Sequence, residues 1–285
     1  MVTVDGMARE LRHRLAGEYG EGEAKAMVRL IFQSLKGWNA TEQIIHGDMP
    51  VSDSFIKRVD GILRRLENHE PLQYILGTTY FHGLDLKVSP AVLIPRPETA
   101  ELVDLIVDEA AGKSDLRVLD LGTGSGAIAV ALARSLRFPD ITAVDISEAA
   151  LEVAKENARV CGVRIKFIRA DFHNWVPKPE SMDIVVSNPP YVLESERKHM
   201  EANVLNYEPE LALFVPDEDP LITYRSVVGI ARIGLTPGGR LYLEINPSCA
   251  GELKDYIAKE GFGNICIIND AHGKKRFITA TYGES

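Results

Sequence analysis

The sequence has few cysteines and no pairing of histidines typical of metal sites. Cys161, Cys249 and Cys266 are far apart and form no C-x-x-C pattern, and the seven histidines include no H-x-x-x-H pair. Disulfide frameworks and zinc knuckles depend on regular, close spacing of their ligands. We therefore expect a protein of a reducing compartment, the cytoplasm, without a metal site.

Long apolar runs and excess positive charge are also missing. No stretch has the length that spans a bilayer, and charged residues interrupt the first fifteen positions, where a signal peptide would have its apolar region. The formal net charge is -9, from 32 basic and 41 acidic residues. Non-specific binding to nucleic acid depends on neutralising phosphates, which this balance does not favour. We expect a monomer with no membrane association and no direct nucleic-acid contact.

What is present is a chain of 285 residues, 45% hydrophobic and 26% charged, which is enough for a globular core. Residues 1–70 carry apolar side chains at three- and four-residue spacings, which predicts helices. Ser52 or Asp53 is suited to cap the last of them. Between residues 70 and 97 the pattern favours a short β-hairpin, and Pro97 is placed to begin a helix.

From residue 117 onward, apolar β-branched runs alternate with helical patterns. The predicted strands are 117–121, 141–145, 165–169, 183–187, 240–245, 264–268 and 277–282, and the predicted helices are 127–136, 147–160, 220–235 and 250–260. This alternation is typical of a doubly wound α/β sheet. We predict three parts: a helical docking domain over 1–72, a β-hairpin linker over 73–95 and an α/β domain over 96–285.

The first strand of this α/β region runs into a glycine-rich turn, Asp-Leu-Gly-Thr-Gly-Ser-Gly at 120–126. Its spacing fits both the dinucleotide pattern G-x-G-x-x-A and the G-x-G-x-G form of S-adenosylmethionine (AdoMet) enzymes. Either way it predicts a nucleoside cofactor. Asp145 ends the next strand, where a carboxylate accepts from ribose hydroxyls. Asp171 and Phe172 follow the third strand and are candidates for the adenine amino group and ring, while Asp120 is a candidate for a cationic end of the cofactor or for capping the helix.

The chain is organised around Ser187-Asn188-Pro189-Pro190-Tyr191, which follows an apolar run. Each proline fixes φ and restrains the residue before it, so the loop is rigid. The Asn188 side-chain oxygen and the Pro189 carbonyl can each accept one proton of an NH2 group. Tyr191 offers a face for stacking. The loop therefore predicts a site that holds a planar amide or amine.

These motifs together resemble those of the class I AdoMet-dependent methyltransferases, and within them the N5-glutamine methyltransferases of peptide chain release factors. The resemblance covers nearly the full length: the helical N-terminal part, Glu-Pro-Leu-Gln-Tyr-Ile at 70–75, Leu-Ile-Pro-Arg-Pro-Glu-Thr at 93–99, the glycine turn, Asn-Pro-Pro-Tyr, and Tyr-Glu-Pro at 207–209. The pairing of Pro-Arg-Pro-Glu-Thr with Asn-Pro-Pro-Tyr is the specific part. The chain departs from the family at Ala100, usually polar, and at Asn246-Pro247, where a glycine is usual and a later glutamine is missing.

The resemblance implies a mostly parallel, seven-stranded Rossmann-like sheet and transfer of a methyl group from AdoMet to the side-chain amide of the glutamine in a Gly-Gly-Gln loop. It implies Asn188, Pro189 and Tyr191 as catalytic residues, with Pro190 beside them in the substrate site. The implied cofactor residues are Asp120, Gly122, Thr123, Gly124, Ser125, Gly126, Asp145, Ile146, Asp171, Phe172 and Asn188.

Other functions share parts of this pattern. A glutamine of a ribosomal protein is an alternative acceptor, and no feature of the sequence separates it from release factors. DNA adenine N6-methyltransferases use the same Asn-Pro-Pro-Tyr loop on a flipped base, but they need a basic groove that the net charge disfavours. A non-catalytic binding module leaves the intact motifs without a purpose, and an NAD-dependent dehydrogenase leaves Asn-Pro-Pro-Tyr unexplained.

Overall fold

A computed structural model describes residues 2–283, which divide into two compact units at the Leu76–Gly77 junction. The first unit is helical, and the second contains the central sheet. Within the described chain, no helix combines the length and apolarity of a membrane span.

Residues 2–76 of the N-terminal unit form four helices: α1 (Val4–Lys36), α2 (Ala40–Ile45), α3 (Asp53–Leu66) and α4 (Leu72–Leu76). Helix α1 is interrupted at Gly20, whose φ of 78° is a conformation that glycine adopts without strain. The helical prediction for this part is confirmed, and Ser52 is the cap of α3 because its hydroxyl accepts from the Phe55 amide. Phe32, Ile31 and Leu66 lie at the centre of the core of this unit.

The predicted hairpin is formed by β1 (Thr78–Phe81) and β2 (Leu84–Lys87), which pair antiparallel. His82 and Gly83 connect them with positive φ at both positions, as a type I′ turn requires. The hairpin begins later than the predicted linker, because Leu72 and Tyr74 bury their side chains on the helical turn α4. The predicted roles of the three parts, with limits at 72 and 95, stay predictions.

The second unit is built on a seven-stranded sheet with a short two-stranded pair beside it. Its strands are β3 (Arg117–Leu121), β4 (Asp140–Asp145), β5 (Lys166–Arg169), β6 (Met182–Ser187), β7 (Val192–Leu193), β8 (Phe214–Val215), β9 (Leu235–Glu244), β10 (Phe262–Asn269) and β11 (Lys275–Tyr282). Over the described residues, the large sheet has the order β10-β11-β9-β6-β3-β4-β5, and β11 runs antiparallel to the other six strands, so the mostly parallel sheet is confirmed.

The described part of this unit has six α-helices: α5 (Pro97–Glu109), α6 (Ala127–Ser135), α7 (Glu148–Val160), α8 (Ala202–Tyr207), α9 (Ile222–Gly234) and α10 (Ala250–Lys259). Pro97 is at the start of α5, as predicted. One hydrophobic cluster joins α9 and α10 to the sheet, and another joins α5, α6 and the β1–β2 hairpin to it. The sheet is therefore covered on both faces, as a parallel sheet requires.

One predicted strand began too late. The prediction placed it at 240–245, whereas β9 starts at Leu235 and contains an irregularity opposite β6. The segment Thr-Pro-Gly-Gly at 236–239 is typical of a loop in sequence, and Gly238 has a positive φ of 80°, so the start of β9 was predicted as a loop. The parallel strands β3, β4, β6 and β9 all end at the same edge of the sheet, where an open α/β fold places its site.

Candidate active site at the carboxyl edge of the sheet

The glycine turn after β3 is a tight loop that only glycines can form without strain. Gly122, Gly124 and Gly126 all have positive φ, at 70°, 54° and 78°. The amides of Gly122 and Thr123 both donate to the Val144 carbonyl, which ties the turn to the end of β4. An added Cβ at Gly126 would lie 3.0 Å from Cβ of Ala154, so helix α7 leaves no room for one.

Asp145 at the end of β4 holds the turn from the other side. Its Oδ2 accepts from the Gly124 amide at 2.8 Å, and its Oδ1 accepts from the Ser147 amide at 2.9 Å. Burial raises the pKa of Asp145 above its ordinary value. The backbone amides of Ser147, Gly124 and Ile146 favour the charged form and partly lower this pKa. Each carboxylate oxygen keeps lone-pair capacity for a further donor, which is what a pair of ribose hydroxyls would supply.

Asp120 is fully buried at the end of β3. Its Oδ2 accepts from the Thr123 hydroxyl at 2.6 Å, whereas its Oδ1 makes no hydrogen bond among the described residues. Burial raises the pKa of Asp120 to about 7, despite the lowering effect of Thr123 and of the Ala129 amide. A buried carboxylate oxygen without a donor is costly, so a bound cation or donor at this position would stabilise the charged form.

A cavity of about 300 Å³ opens at this edge of the sheet. Seven of the predicted cofactor residues line it: Gly122, Gly124, Asp145, Ile146, Asp171, Phe172 and Asn188. Asp120, Thr123, Ser125 and Gly126 are not part of its lining, and the side chains of the first three are buried. The volume falls in the range of small-molecule sites.

The loop after β5 supplies one wall of this cavity. Asp171 accepts from the His173 amide and from the Asn174 side chain, both at 2.9 Å, so its carboxylate shapes its own loop. The Phe172 ring reaches the glycine turn, with a ring carbon 3.8 Å from where a Cβ of Gly122 would lie. Its ring also lies 4.9 Å from that of His173. Contact of these residues with an adenine stays a prediction.

The Asn-Pro-Pro-Tyr loop begins at the end of β6 and supplies the opposite wall. Asn188 and Pro190 line the cavity, while Pro189 is buried. The Thr223 hydroxyl donates to the Pro190 carbonyl at 2.8 Å and fixes the loop to helix α9. Tyr191 is not part of the lining, and its hydroxyl donates to Glu244 at 2.9 Å. The predicted catalytic roles of Asn188, Pro189 and Tyr191 stay predictions.

Sequence reasoning missed three buried side chains at this edge of the sheet, Thr99, Glu208 and Glu244. Thr99 accepts from the Asn188 side-chain amide at 3.2 Å and donates to Glu244 at 2.7 Å. Glu208 accepts from Arg96 at 2.5 Å and from the Ile94 amide at 3.1 Å, and its side chain is only 1% exposed. The quoted motifs contain Thr99, Arg96 and Glu208, but nothing in the sequence shows their partners.

Asn246, one of the departures from the family pattern, also contacts the loop. Its side-chain amide donates to the Tyr191 carbonyl at 3.1 Å and to Glu196 at 3.0 Å. The departure therefore adds support behind Tyr191. Between residues 2 and 283, no group of three or more His, Cys, Asp or Glu side chains is arranged to hold a metal ion.

Two family models match the chain. One described as "PrmC N-terminal domain" covers residues 7–77, and one described as "Methyltransferase domain" covers residues 112–262. Two curated relatives, both named release factor glutamine methyltransferase, match nearly the whole chain. The protein of Bacteroides thetaiotaomicron is 44% identical over 95% of this chain and 97% of its own length. The protein of Streptococcus pneumoniae is 38% identical over 93% and 94%.

A solved structure has the same fold as the second unit. It is that of a T. thermophilus 16S rRNA N2 G1207 methyltransferase (RsmC) in complex with AdoMet and guanosine, with a TM-score of 0.53. The match covers 72% of this chain and 49% of that one at 17% identity, so it supports the fold alone.

Proposed function

This chain belongs to the family of release factor glutamine methyltransferases, and from that premise we propose that it methylates the side-chain amide nitrogen of a glutamine in peptide chain release factors, with AdoMet as the methyl donor. The finer proposal is that the acceptor is the glutamine of the Gly-Gly-Gln loop. The observation that carries the proposed methylation of an amide is the position of Asn188, whose side-chain amide lies on the wall of the same cavity as Gly124 and Asp145.

The residues present fit AdoMet on two observations. Gly124 lines the cavity, and an added Cβ there would meet no protein atom within 4 Å, so the turn leaves open space where a ligand approaches the backbone. Asp145 lines the same cavity, and each of its carboxylate oxygens accepts from one backbone amide and keeps lone-pair capacity for a further donor on the ligand. We propose that Asp145 accepts from the ribose hydroxyls, that Ile146 packs beside them and that Asp171 and Phe172 contact the adenine. We propose further that Asp120, Thr123, Ser125 and Gly126 hold the turn that carries the methionine end.

The chemistry needs positioning more than proton transfer. When bound, AdoMet supplies a methyl group on a cationic sulfur. The lone pair of an amide nitrogen is delocalised, so the nitrogen attacks only if it is held in line at about 3–3.5 Å. We propose that Asn188 Oδ1 and the Pro189 carbonyl accept the two amide protons, which aims the nitrogen and stabilises the charge that develops on it. Pro190 would form the wall of the amide site and Tyr191 would pack against its plane. The alkylated nitrogen then loses its proton to water without a catalytic base.

The remaining expectations belong to the same proposal. A release factor is the protein partner, and we expect the enzyme to act in the cytoplasm as a monomer, without direct binding of nucleic acid or membrane. The alternative acceptors are a glutamine of a ribosomal protein and, from another class, the adenine amino group of DNA.

The deciding experiment incubates the purified chain and labelled AdoMet with release factor, and with the same factor carrying Ala in place of the loop glutamine. We expect label on the first only. Equal label on both would exclude this glutamine as the acceptor, and label on duplex DNA would favour the alternative class. Asn188→Ala should bind AdoMet and lose turnover, and wild-type turnover in that variant would remove Asn188 from the mechanism.

A further inference from the structure

A chain of hydrogen bonds connects Asn188 to residues that are far from it in the sequence. The Asn188 amide nitrogen lies 3.2 Å from Thr99 Oγ1, which lies 2.7 Å from Glu244 Oε2. The other carboxylate oxygen of Glu244, Oε1, lies 2.9 Å from the Tyr191 hydroxyl. Thr99 and Glu244 are 4% and 1% exposed, so water does not replace these contacts.

The chemistry of Glu244, Thr99 and Asn188 fixes which group donates and which accepts in each of these hydrogen bonds. A carboxylate has no proton, so it only accepts, and the single hydroxyl proton of Thr99 is donated to Glu244. Thr99 Oγ1 then presents only lone pairs to Asn188. The amide of Asn188 must therefore turn its NH2 group toward Thr99, and its oxygen then points away from Thr99.

This direction holds only while Glu244 is charged. Burial raises the pKa of Glu244, and Glu98 on α5 adds to that effect. The Thr99 and Tyr191 hydroxyls and the Arg276 guanidinium on β11 act against it, and Arg276 also pairs with Asp270. Burial also keeps the pKa of Tyr191 above its ordinary value, so its hydroxyl stays a donor. Each carboxylate oxygen of Glu244 thus accepts from one hydroxyl, that of Thr99 or that of Tyr191, as expected for the charged form.

We propose that Thr99 and Glu244 are positioning residues that lock the Asn188 amide with its oxygen toward the substrate, and that this lock makes the site selective for glutamine over glutamate. This inference rests on the proposed function. An oxygen at this position accepts from the NH2 of a carboxamide and repels a carboxylate. A rotated Asn188 would present its NH2 instead, which repels the substrate NH2 and favours a carboxylate.

Thr99→Val and Thr99→Ser form a matched pair for the test. Valine keeps the shape of threonine but cannot accept from Asn188, whereas serine keeps the hydroxyl. In the full chain, we would measure the AdoMet dissociation constant, kcat at saturating AdoMet, and binding of release factor with Gln or Glu at the loop position in the presence of S-adenosylhomocysteine.

We expect Thr99→Ser to keep kcat within about threefold of wild type. Thr99→Val should keep the AdoMet affinity within about twofold but lose about tenfold or more in kcat, since one hydrogen bond corresponds to roughly that factor. Its preference for Gln over Glu should shrink by a similar factor, which a general loss of packing would not cause. Wild-type kcat and an unchanged preference in Thr99→Val would overturn the inference.

Thr99→Val also removes a donor from a buried carboxylate, so Glu244→Gln serves as the second variant. A neutral amide at position 244 both donates and accepts, so Thr99 can then either accept from Asn188 or donate to it. We therefore expect a loss of kcat smaller than that of Thr99→Val, together with a weakened preference for Gln. A wild-type rate and preference in Glu244→Gln would contradict the lock.

Failure of the proposed function gives a different result. If the wild-type chain does not methylate release factor, the function fails, and the lock is read from the Asn188 side-chain amide protons by NMR. We expect slow exchange of these protons in the wild type and in Thr99→Ser, and faster exchange in Thr99→Val. Equal exchange rates in all three proteins would overturn the lock whatever the substrate is.

Discussion

Gly124, in the turn after β3, and Asp145, at the end of the neighbouring strand β4, are joined by a 2.8 Å hydrogen bond from the Gly124 amide to Asp145 Oδ2. Asp145→Asn replaces one acceptor oxygen by an NH2 group that faces a backbone N–H, of Gly124 or of Ser147. Loss of such a bond to a charged group corresponds to about 1.5–3 kcal/mol. We expect AdoMet binding at least tenfold weaker, measured by titration calorimetry.

The control for this prediction is Asp140→Asn, at the exposed start of the same strand β4. It makes the same chemical change far along the strand from the turn, and we expect the AdoMet affinity of this variant to stay within about twofold of wild type. An Asp145→Asn variant with the same affinity as Asp140→Asn would contradict the assignment of Asp145 to the cofactor.

Asp120 should give the ligand-free protein a distinctive pH dependence. Burial raises its pKa from 3.8 to about 7, so between these values the folded state binds a proton that the unfolded state has lost. The free energy of unfolding should therefore fall as pH rises from about 4 to 7, by on the order of 4 kcal/mol from this group. Asp120→Asn lacks this titration, and the difference between the two proteins should follow that course in urea unfolding at several pH values.

Other carboxylates titrate in the same range, so only the difference between Asp120→Asn and wild type is informative. We expect Asn at 120 to raise the stability relative to wild type at pH 8 while weakening AdoMet binding, because the negative charge is gone. A difference in stability that does not change with pH would contradict the raised pKa.

Gly126 combines a φ of 78° with a close neighbour, Ala154. A Cβ in Gly126→Ala would meet Ala154 Cβ at 3.0 Å and Ala154 Cα at 3.3 Å, and the positive φ adds about 1–2 kcal/mol for a non-glycine residue. We expect a loss of about 2–4 kcal/mol in the free energy of unfolding. The matched change is Gly229→Ala in α9, where an added Cβ meets no atom within 4 Å and alanine should be neutral or stabilising. Equal stability of the two variants would contradict this reading of the turn.

The centre of the sheet could be predicted because β3, β4 and β6 are buried on both faces and appear as apolar runs. Arg117–Leu121 was predicted with its observed limits, and the other strands within a few residues. The exceptions have a physical reason. The start of β9 is hidden by Thr-Pro-Gly-Gly, and the pair β7 and β8 has two residues in each strand, too few for a periodic signal.

The site was predictable where the signal is local. The glycine turn, Asp145 and Asn188 occur at fixed offsets from strand ends, and the structure places them around one cavity. The partners of Asn188 were not predictable, because Thr99 lies 89 residues before it and Glu244 lies 145 residues beyond Thr99. Only the fold brings such residues together, and a motif alone does not state which hydrogen bonds it makes.

The pair formed by Arg96 and Glu208 connects two segments that line the cavity. Glu208 is buried next to Pro209, and it accepts from Arg96 and from the amide of Ile94, which follows Val92 and Leu93. Arg96→Met leaves the buried carboxylate with a single backbone donor. Because the Arg96 side chain is 35% exposed, we expect a loss of about 1.5–3 kcal/mol, less than for a fully buried pair.

Displacement of these segments in Arg96→Met should also raise KM for the release factor. The double variant Arg96→Met with Glu208→Gln should recover part of the stability, since it no longer buries an unpaired charge; a double-mutant cycle measures that coupling. The control is Arg232→Met, which breaks a longer and more exposed pair with Glu260 at 3.5 Å and should lose less than about 1 kcal/mol. If Arg96→Met unfolds at the same denaturant concentration as Arg232→Met, the buried pair does not hold the cavity wall. Both variants remove a guanidinium from the same protein, but the Arg96 pair is the shorter one, and its carboxylate is 1% exposed against 26% for that of Glu260, so Arg96→Met should lose more stability.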